Sequence, residues 1–196
     1  MLRTRTPQRG FNIIEILVSV AVLGVLIALA APGLSEWLQT QQIRAAAEVI
    51  VNGMQIARAE AIRRNLAVQM VVVPPATGWT VCEATVSPCD VTIMADKTLA
   101  IQSRAHEEGT TNATIATVPD GAIAVTFSPL GSRITNFDAS PILTQVDVRN
   151  PGGGACQTEG GPMRCLRVVV SGGGTIRMCD PTATIVAPDP RACPAA

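Results

Sequence analysis

The sequence predicts an α+β fold in which one long N-terminal helix packs on an antiparallel β-sheet domain. The first observation is an apolar run over residues 16–35 that contains no charged residue. The second is an amphipathic helical pattern that continues beyond this run. The third is a series of short β-branched segments, separated by Pro and Gly, that follows Asn65. A long helix followed by many short strands is typical of an α+β protein.

Composition narrows the functional classes. The 196 residues hold 15 Lys+Arg and 15 Asp+Glu, so the formal net charge is zero, and aromatic residues make up only 3%. The chain has one histidine, His106. A neutral chain is not typical of proteins that coat nucleic acid, and one histidine leaves little for a catalytic triad or a multi-histidine metal site. We therefore expect no catalytic residue, no metal ligand and no cofactor.

The N-terminal region has the pattern of a membrane anchor. Arg3, Arg5 and Arg9 precede the uncharged run. A helix of that length spans about 30 Å, the thickness of the bilayer hydrocarbon core. The preceding arginines favour a cytoplasmic N-terminus and export of the rest. A secretory signal peptide is the alternative, but its apolar region is usually only about 7–15 residues long and ends in a small-residue cleavage site.

Three residues of this region carry specific expectations. Glu15 lies at the N-terminal end of the apolar run, where placing an ionisable group in lipid costs free energy. It is therefore a candidate functional residue. The alternative is that Glu15 simply lies among the lipid head groups. Pro32 lacks an N–H group, and together with Gly33 it predicts a kink in the long helix.

The helix is predicted to continue as an amphipathic segment that packs on the sheet. Its apolar positions are spaced three and four residues apart and form one stripe: Ile43, Ala47, Ile50, Met54, Ala57 and Ala61. This is the spacing of one helix face. On the opposite face, Arg44 and Glu48 have the i,i+4 spacing of a helical ion pair.

Short β-branched segments bounded by turn residues are predicted as strands. They cover residues 66–73, 79–83, 91–95, 99–103, 113–118, 123–127, 142–148, 166–170 and 175–178.

Six cysteines indicate disulfides in the exported part of the chain: Cys82, Cys89, Cys156, Cys165, Cys179 and Cys193. An even number of cysteines in an oxidising compartment is typical of disulfides. A zinc site is not expected, because no C-x-x-C motif occurs and the only histidine is far from all six in sequence.

A hairpin over residues 165–179, turning at residues 171–173, suggests two pairing schemes. Its inner face is apolar: Leu166, Val168, Val170, Ile176 and Met178. Cys165 and Cys179 then lie opposite each other on the outer face. The predicted scheme ties the outer cysteines to flanking loops as Cys156–Cys165 and Cys179–Cys193, with Cys82–Cys89 as a local bridge. The rival scheme pairs Cys165 with Cys179 and leaves Cys156 for Cys193.

The residues around Glu15 resemble the class III signal of type IV prepilins and type II secretion pseudopilins. Residues 10–15 read Gly-Phe-Asn-Ile-Ile-Glu between a basic leader and an apolar helix. Asn12 and Ile13 depart from the more usual Thr-Leu. The resemblance implies that a prepilin peptidase cleaves between Gly10 and Phe11 and N-methylates Phe11. It also implies that Glu15 acts in assembly.

The resemblance extends to the GspH/FimT subgroup, on residues 31–33, 42–47, 57–65, 125–133 (Val-Thr-Phe-Ser-Pro-Leu-Gly-Ser-Arg) and 176–181. It implies a type IV pilin-like fold with four parts. These are a removed basic leader (1–10), a transmembrane and filament-core helix (11–34), the amphipathic second half of the helix (35–65) and a periplasmic β-rich domain with disulfides (66–196).

This resemblance implies a structural role and not an enzymatic one. The chain is expected to be a minor pilin incorporated at the tip or shaft of a type IV pilus, on the FimT- or FimU-like side of the family. The alternative is the GspH-type pseudopilin of a type II secretion system. Expected partners are other pilins or pseudopilins, the prepilin peptidase, the inner-membrane assembly platform and, before assembly, membrane lipid. The expected location is the bacterial inner membrane, with one span and the C-terminal domain in the periplasm, and then the pilus or pseudopilus.

DNA capture for uptake is an alternative of another class. Arg167 and Arg177 lie on the outer face of the hairpin, and Arg164 is next to it. DNA-binding relatives carry a Gly-Arg-x-Arg motif, whereas the stretch ending at Arg177 reads Gly-Thr-Ile-Arg. Ion pairing with Asp180 and Asp189 is the favoured interpretation of these arginines, so DNA is not favoured as a partner.

Overall fold

The computed structural model describes residues 12–84, 100–106, 108 and 110–194 of the chain. The cleavage and methylation predictions at Gly10 and Phe11 lie outside these residues. So do the strand segment 91–95 and Cys89.

The helix α1 extends from Ile13 to Arg64. The side chains of residues 30–33 are outside the described set, so the kink expected at Pro32 and Gly33 stays a prediction. In the described part of the chain, no single helix qualifies as a membrane span by length and apolar composition, whereas the segments Ile13–Leu29 and Leu34–Arg64 qualify when they are taken together.

The chain forms two compact units, Met1–Trp37 and Leu38–Ala196. The described part of the first unit is the beginning of α1. The described part of the second unit holds the rest of α1, two short 3-10 helices (Pro151–Gly153 and Gln157–Glu159) and the strands. These strands are β1 Val68–Val72, β2 Trp79–Glu83, β3 Ala100–Arg104, β4 Thr114–Val118, β5 Ala124–Phe127, β6 Arg133–Ile134, β7 Gln145–Arg149, β8 Leu166–Val170 and β9 Ile176–Cys179.

The described strands form two antiparallel sheets. The first has the order β3-β2-β1-β5-β6 and the second has the order β4-β7-β8-β9. The predicted class, a long helix packed on antiparallel β-structure, is confirmed, with two sheets in place of the single sheet expected. Strand patterns in a sequence do not reveal this division, because β1 pairs with β5 and β4 with β7, which are distant in the chain.

The amphipathic half of α1 and the inner faces of the sheets share one apolar core. All six residues of the predicted stripe are fully buried, at 0% exposure. The helix approaches the first sheet closely at Gly53, where a Cβ atom would lie 2.7 Å from Met70 Cε and 2.9 Å from the ring of Trp79. A fully buried Ile or Met contributes about 1.5–3 kcal/mol relative to exposure, so this stripe is the main attachment of the helix.

Most described strands lie within one or two residues of their predicted bounds, and two larger differences occur. The edge strand β6 was not predicted, because its two residues, Arg133 and Ile134, are too short to show a period. The segment 142–148 enters the sheet only at Gln145. Before that point Ile142 makes an isolated bridge to Ala124 instead.

The β8–β9 hairpin is shifted from its predicted register. Arg167, and not Cys165, lies opposite Cys179, and Val170 lies opposite Ile176. The turn therefore centres one residue later than expected, because Gly174 takes a positive φ of 76° and Ser171 N–H donates to Thr175 O. Each residue of β9 therefore pairs with a β8 residue two positions beyond its predicted partner. Because side chains alternate between faces along a strand, a shift of two positions preserves the predicted inner and outer faces.

A turn over residues 128–132 joins α1 to this hairpin. Arg58 Nε donates to the carbonyl oxygen of Gly131 at 2.9 Å. On the other side of the turn, Arg133 N–H donates to Gly172 O at 3.0 Å. The Phe-Ser-Pro-Leu-Gly segment therefore has a definite structural role, because it bridges two elements that are distant in sequence.

Candidate functional site

The described residues of the first unit expose a largely apolar helix surface. Every described side chain from Asn12 to Trp37 is exposed, with Ile13 at 76% and Leu29 at 74%. Monomeric soluble proteins rarely leave contiguous apolar patches larger than a few hundred Å² uncovered. This helix surface therefore needs an apolar environment, either lipid or other helices, and it is a candidate assembly element.

Glu15 lies in the first turn of this apolar helix. Its N–H group donates to Asn12 O at 3.0 Å, and Ser19 Oγ donates to its main-chain carbonyl at 2.7 Å. No described residue forms an ion pair with its carboxylate. Glu15 is the single acidic residue before Glu36, so it offers a negative charge at the beginning of the apolar helix, which suits a role in pairing with a group supplied from outside the described chain.

Two disulfides lie in the C-terminal part of the second unit. Cys156 is bonded to Cys165 and Cys179 to Cys193, with Cα–Cα distances of 5.5 Å and 4.9 Å. These are the pairings of the first scheme, and the cross-hairpin pairing of Cys165 with Cys179 is not formed. Cys82 is also disulfide-bonded. Its pairing with Cys89 stays a prediction, because Cys89 lies outside the described residues.

Asp180 anchors the tail that follows β9. It is only 3% exposed, and its carboxylate accepts hydrogen bonds from Arg164 Nη2 at 2.8 Å and from the Thr182 hydroxyl at 2.6 Å. Burial works to raise the pKa of Asp180, but the hydrogen bonds from Thr182 and Arg164 outweigh it, so the pKa lies below its ordinary value. Asp180 N–H also donates to Arg191 O, which fixes the returning tail.

Arg167 and Arg177 share the outer face of the hairpin but differ in their partners. Arg167 lies opposite Asp147 across β7 and β8. Its guanidinium makes two hydrogen bonds to that carboxylate, at 2.6 and 3.2 Å. The Arg177 side chain is exposed, and no described residue forms a hydrogen bond or ion pair with its guanidinium.

Two of the three arginines considered as DNA contacts therefore form ion pairs within the described chain. Arg164 pairs with Asp180, as the favoured interpretation has it, while Asp189 pairs with Arg191 at 2.8 Å. Sequence reasoning missed Asp147 as the partner of Arg167. No local signal could have revealed that pair, because only the register of β7 on β8 brings the two residues together.

The single histidine has a structural environment. His106 Nδ1 accepts a hydrogen bond from the Thr77 N–H at 3.2 Å and lies 3.0 Å from the Thr77 hydroxyl. Thr110 Oγ1 in turn donates to the His106 carbonyl. These contacts hold the loop after β3 against the loop that joins β1 to β2.

A helix with an exposed apolar beginning, an amphipathic continuation and antiparallel sheets packed on it defines the class of pilin-like structural subunits, the minor pilins and pseudopilins. The model of the family described as "Type II transport protein GspH" matches residues 46–174, about two thirds of the chain. The chain belongs to this GspH family. The resemblance inferred from the sequence is thereby confirmed, and the family is one of structural subunits and not of enzymes.

Three solved structures are similar to the chain. The type IV minor pilin FimU of Pseudomonas aeruginosa is 18% identical. The matched region covers 70% of this chain and 88% of the FimU chain, with a TM-score of 0.47. The minor pseudopilin EpsH from the type 2 secretion system of Vibrio cholerae is 14% identical, with coverages of 71% and 98% and a TM-score of 0.45. GspH of E. coli is 13% identical, with coverages of 72% and 89% and a TM-score of 0.42.

Proposed function

We propose that this GspH-family protein is a minor pilin of a type IV pilus, incorporated at the tip or shaft. The observation that carries the assembly role is the exposed apolar surface of α1 with Glu15 as its single acidic group before residue 36. Such a surface is stable in lipid before assembly and against neighbouring helices afterwards. Other pilins and the inner-membrane assembly platform are the proposed partners.

Maturation is part of the proposal. The prepilin peptidase cleaves between Gly10 and Phe11 and methylates the new amine of Phe11. Before assembly the chain spans the inner membrane once, with its disulfide-bonded domain in the periplasm. The two disulfides between residues 156 and 193 support an oxidising location for that domain.

The choice of the pilus over the secretion pseudopilus has its own support. The Arg177-Met178-Cys179-Asp180-Pro181 segment and the several cysteines resemble the FimT- and FimU-like members more than GspH. In the fold this segment ends β9 and begins the disulfide-bonded tail. The GspH-type pseudopilin of a type II secretion system is the second candidate.

The test uses the full chain in its own host. Pili sheared from the cells are separated from the membrane fraction, and both are analysed by mass spectrometry. We expect the pilus fraction to contain a chain that begins at N-methylated Phe11. Deleting the gene is expected to reduce pilus number while leaving secreted enzymes unchanged. An intact leader on assembled protein, or a secretion defect with normal piliation, would contradict the proposal.

A further inference from the structure

The outer edge of β9 carries unpaired backbone groups. β9 is the last strand of the second sheet, and only β8 pairs with it. Ser171 N–H donates to Thr175 O at the base of the hairpin. Hydrogen-bonded pairs alternate along an antiparallel ladder, so the pair formed by Val169 and Arg177 is bonded while the pairs on either side are not.

The alternation directs the N–H and C=O groups of Ile176 and Met178 away from β8. Asp180 is the next residue with this orientation, and its N–H donates outward to Arg191 O at 2.8 Å, as the alternation requires. The tail thus adds one residue of parallel pairing at this edge, between Asp180 and Ala192. Within the described chain, no residue pairs with the outward groups of Ile176 and Met178.

At the opposite edge of the same sheet, an outward backbone group of β4 does have a hydrogen-bond partner. On β4 the outward N–H group of Ile115 donates to Pro75 O at 2.8 Å, and Pro119 follows the end of the strand. Proteins commonly cover an edge strand or interrupt it with proline to prevent further pairing. No comparable hydrogen bond reaches the two outward positions of β9 within the described residues.

A groove of about 370 Å³ lies beside Met178, between the edge of β9, α1 and the tail. Leu166, Met178 and the Cys179 disulfide give it apolar walls. Its rim carries three arginines that each have a carboxylate partner: Arg44 with Glu48, Arg164 with Asp180 and Arg191 with Asp189. On the outer face of the same strand, Arg177 adds a positive charge that no described residue compensates.

We propose that β9 accepts an extended acidic peptide segment as an additional strand. The segment pairs its backbone with Ile176 and Met178, directs apolar side chains into the groove, and places acidic side chains beside Arg177. In strand addition, main-chain hydrogen bonds supply affinity and the alternating side chains supply specificity. The charge on Arg177 selects acidic over basic segments. This site is independent of which filament the protein joins.

The test measures peptide binding to the full chain in a non-ionic detergent. The probe is a fluorescein-labelled hexapeptide of alternating valine and aspartate, and the control peptide has lysine in place of aspartate. By fluorescence anisotropy we expect the aspartate peptide to bind more tightly, with a preference that shrinks as salt rises. Equal binding of the two peptides would overturn the proposal.

Two variants separate the backbone contribution from the charge. Met178→Pro removes an outward N–H group that the fold itself does not use, and it is expected to weaken binding about tenfold. Met178→Ala is the matched control, since it truncates the side chain but keeps the N–H group, and it should bind within about threefold of the native chain. Arg177→Glu needs no proline and should reverse the preference between the peptides. Native-like binding by Met178→Pro, or an unchanged preference in Arg177→Glu, would refute strand addition at this edge.

Discussion

Gly174 lies directly against Gly131, so that a Cβ atom on Gly174 would overlap the carbonyl oxygen of Gly131. Both residues have a φ of 76°, in the left-handed region that favours glycine. The same carbonyl accepts the hydrogen bond from Arg58. One backbone oxygen thus connects the helix, the turn after β5 and the β8–β9 hairpin.

The first prediction concerns this contact. Gly174→Ala is expected to lower the free energy of unfolding by about 2 kcal/mol or more, because it combines an unfavourable φ with a backbone clash. Gly172→Ala is the matched control in the same turn, since its Cβ would meet no atom within 4 Å. Urea unfolding of the two variants, followed by circular dichroism, checks the difference. Equal midpoints would contradict the role assigned to Gly174.

The second prediction concerns the buried carboxylate of Asp180. Arg164→Ala leaves this carboxylate without its cationic partner, and it is expected to lower the free energy of unfolding by about 1–3 kcal/mol. Arg177→Ala is the control, because Arg177 is exposed and no described residue pairs with it. That variant should stay within about 0.5 kcal/mol of the native chain. Similar losses for both variants would show that the ion pair with Asp180 is not what stabilises the tail.

The third prediction is a pH dependence at the end of α1. Hydrogen bonds from Arg63 and Arg64 lower the pKa of Glu60 from 4.5 to about 2. A carboxylate with a lowered pKa stabilises the folded state above its unfolded pKa and loses this contribution as the pH falls. Glu60→Gln is therefore expected to be less stable than the native chain at neutral pH, by at most about 1 kcal/mol because the group is partly exposed.

The difference between Glu60→Gln and the native chain should shrink between about pH 5 and pH 2. Thermal unfolding at a series of pH values measures it. Glu48→Gln is the comparison, since Glu48 lies in a well-exposed pair with Arg44 and should change stability little at any pH. A destabilisation by Glu60→Gln that is the same at pH 2.5 and pH 7 would exclude the ion pair as its cause.

The fourth prediction concerns assembly through Glu15. An unpaired carboxylate near the bilayer core is costly, and in the proposed filament the amine that the proposed cleavage creates at Phe11 neutralises it between neighbouring subunits in a low-dielectric helix bundle. Glu15→Val is expected to insert and to be processed but to assemble poorly. Quantifying the protein in membrane and sheared-pilus fractions checks this. Ser19→Ala, which removes only the hydroxyl bonded to the Glu15 carbonyl, should assemble normally.

The fifth prediction concerns DNA. Arg164 and Arg167 have carboxylate partners, so we expect the full chain not to bind DNA at micromolar concentrations. Any binding should be indifferent to sequence and should show a slope of log K against log salt of about −2 to −3, as for two or three phosphate contacts. Anisotropy titrations of the full chain at several salt concentrations measure both. Micromolar binding that disappears in an Arg167→Ala, Arg177→Ala double variant would establish a DNA site.

The helix was predictable in detail because its pattern is local. The stripe from Ile43 to Ala61 repeats with the helical period, and one period is sufficient to decide which side of a helix is buried. The ion pair between Arg44 and Glu48 followed from the same geometry, and it is present at 3.1 Å.

Features that depend on distant pairing were not predictable. The hairpin register required knowing which of three consecutive glycines, 172–174, takes the left-handed conformation. The partner of Arg167 required knowing that β7 lies beside β8. The Cys156–Cys165 and Cys179–Cys193 disulfides could be predicted because each closes a short loop next to a strand whose faces the apolar pattern had already assigned.

The close approach of α1 to the first sheet at Gly53 has a mechanical consequence. The buried stripe extends along α1 for about 27 Å, and small side chains and the glycine let it sit deeply in the core. A pull along the helix axis would load these contacts in shear, so that many must yield at the same moment. A pull perpendicular to the axis would peel them apart one after another. The domain is thus built to resist tension along its helix far better than force across it.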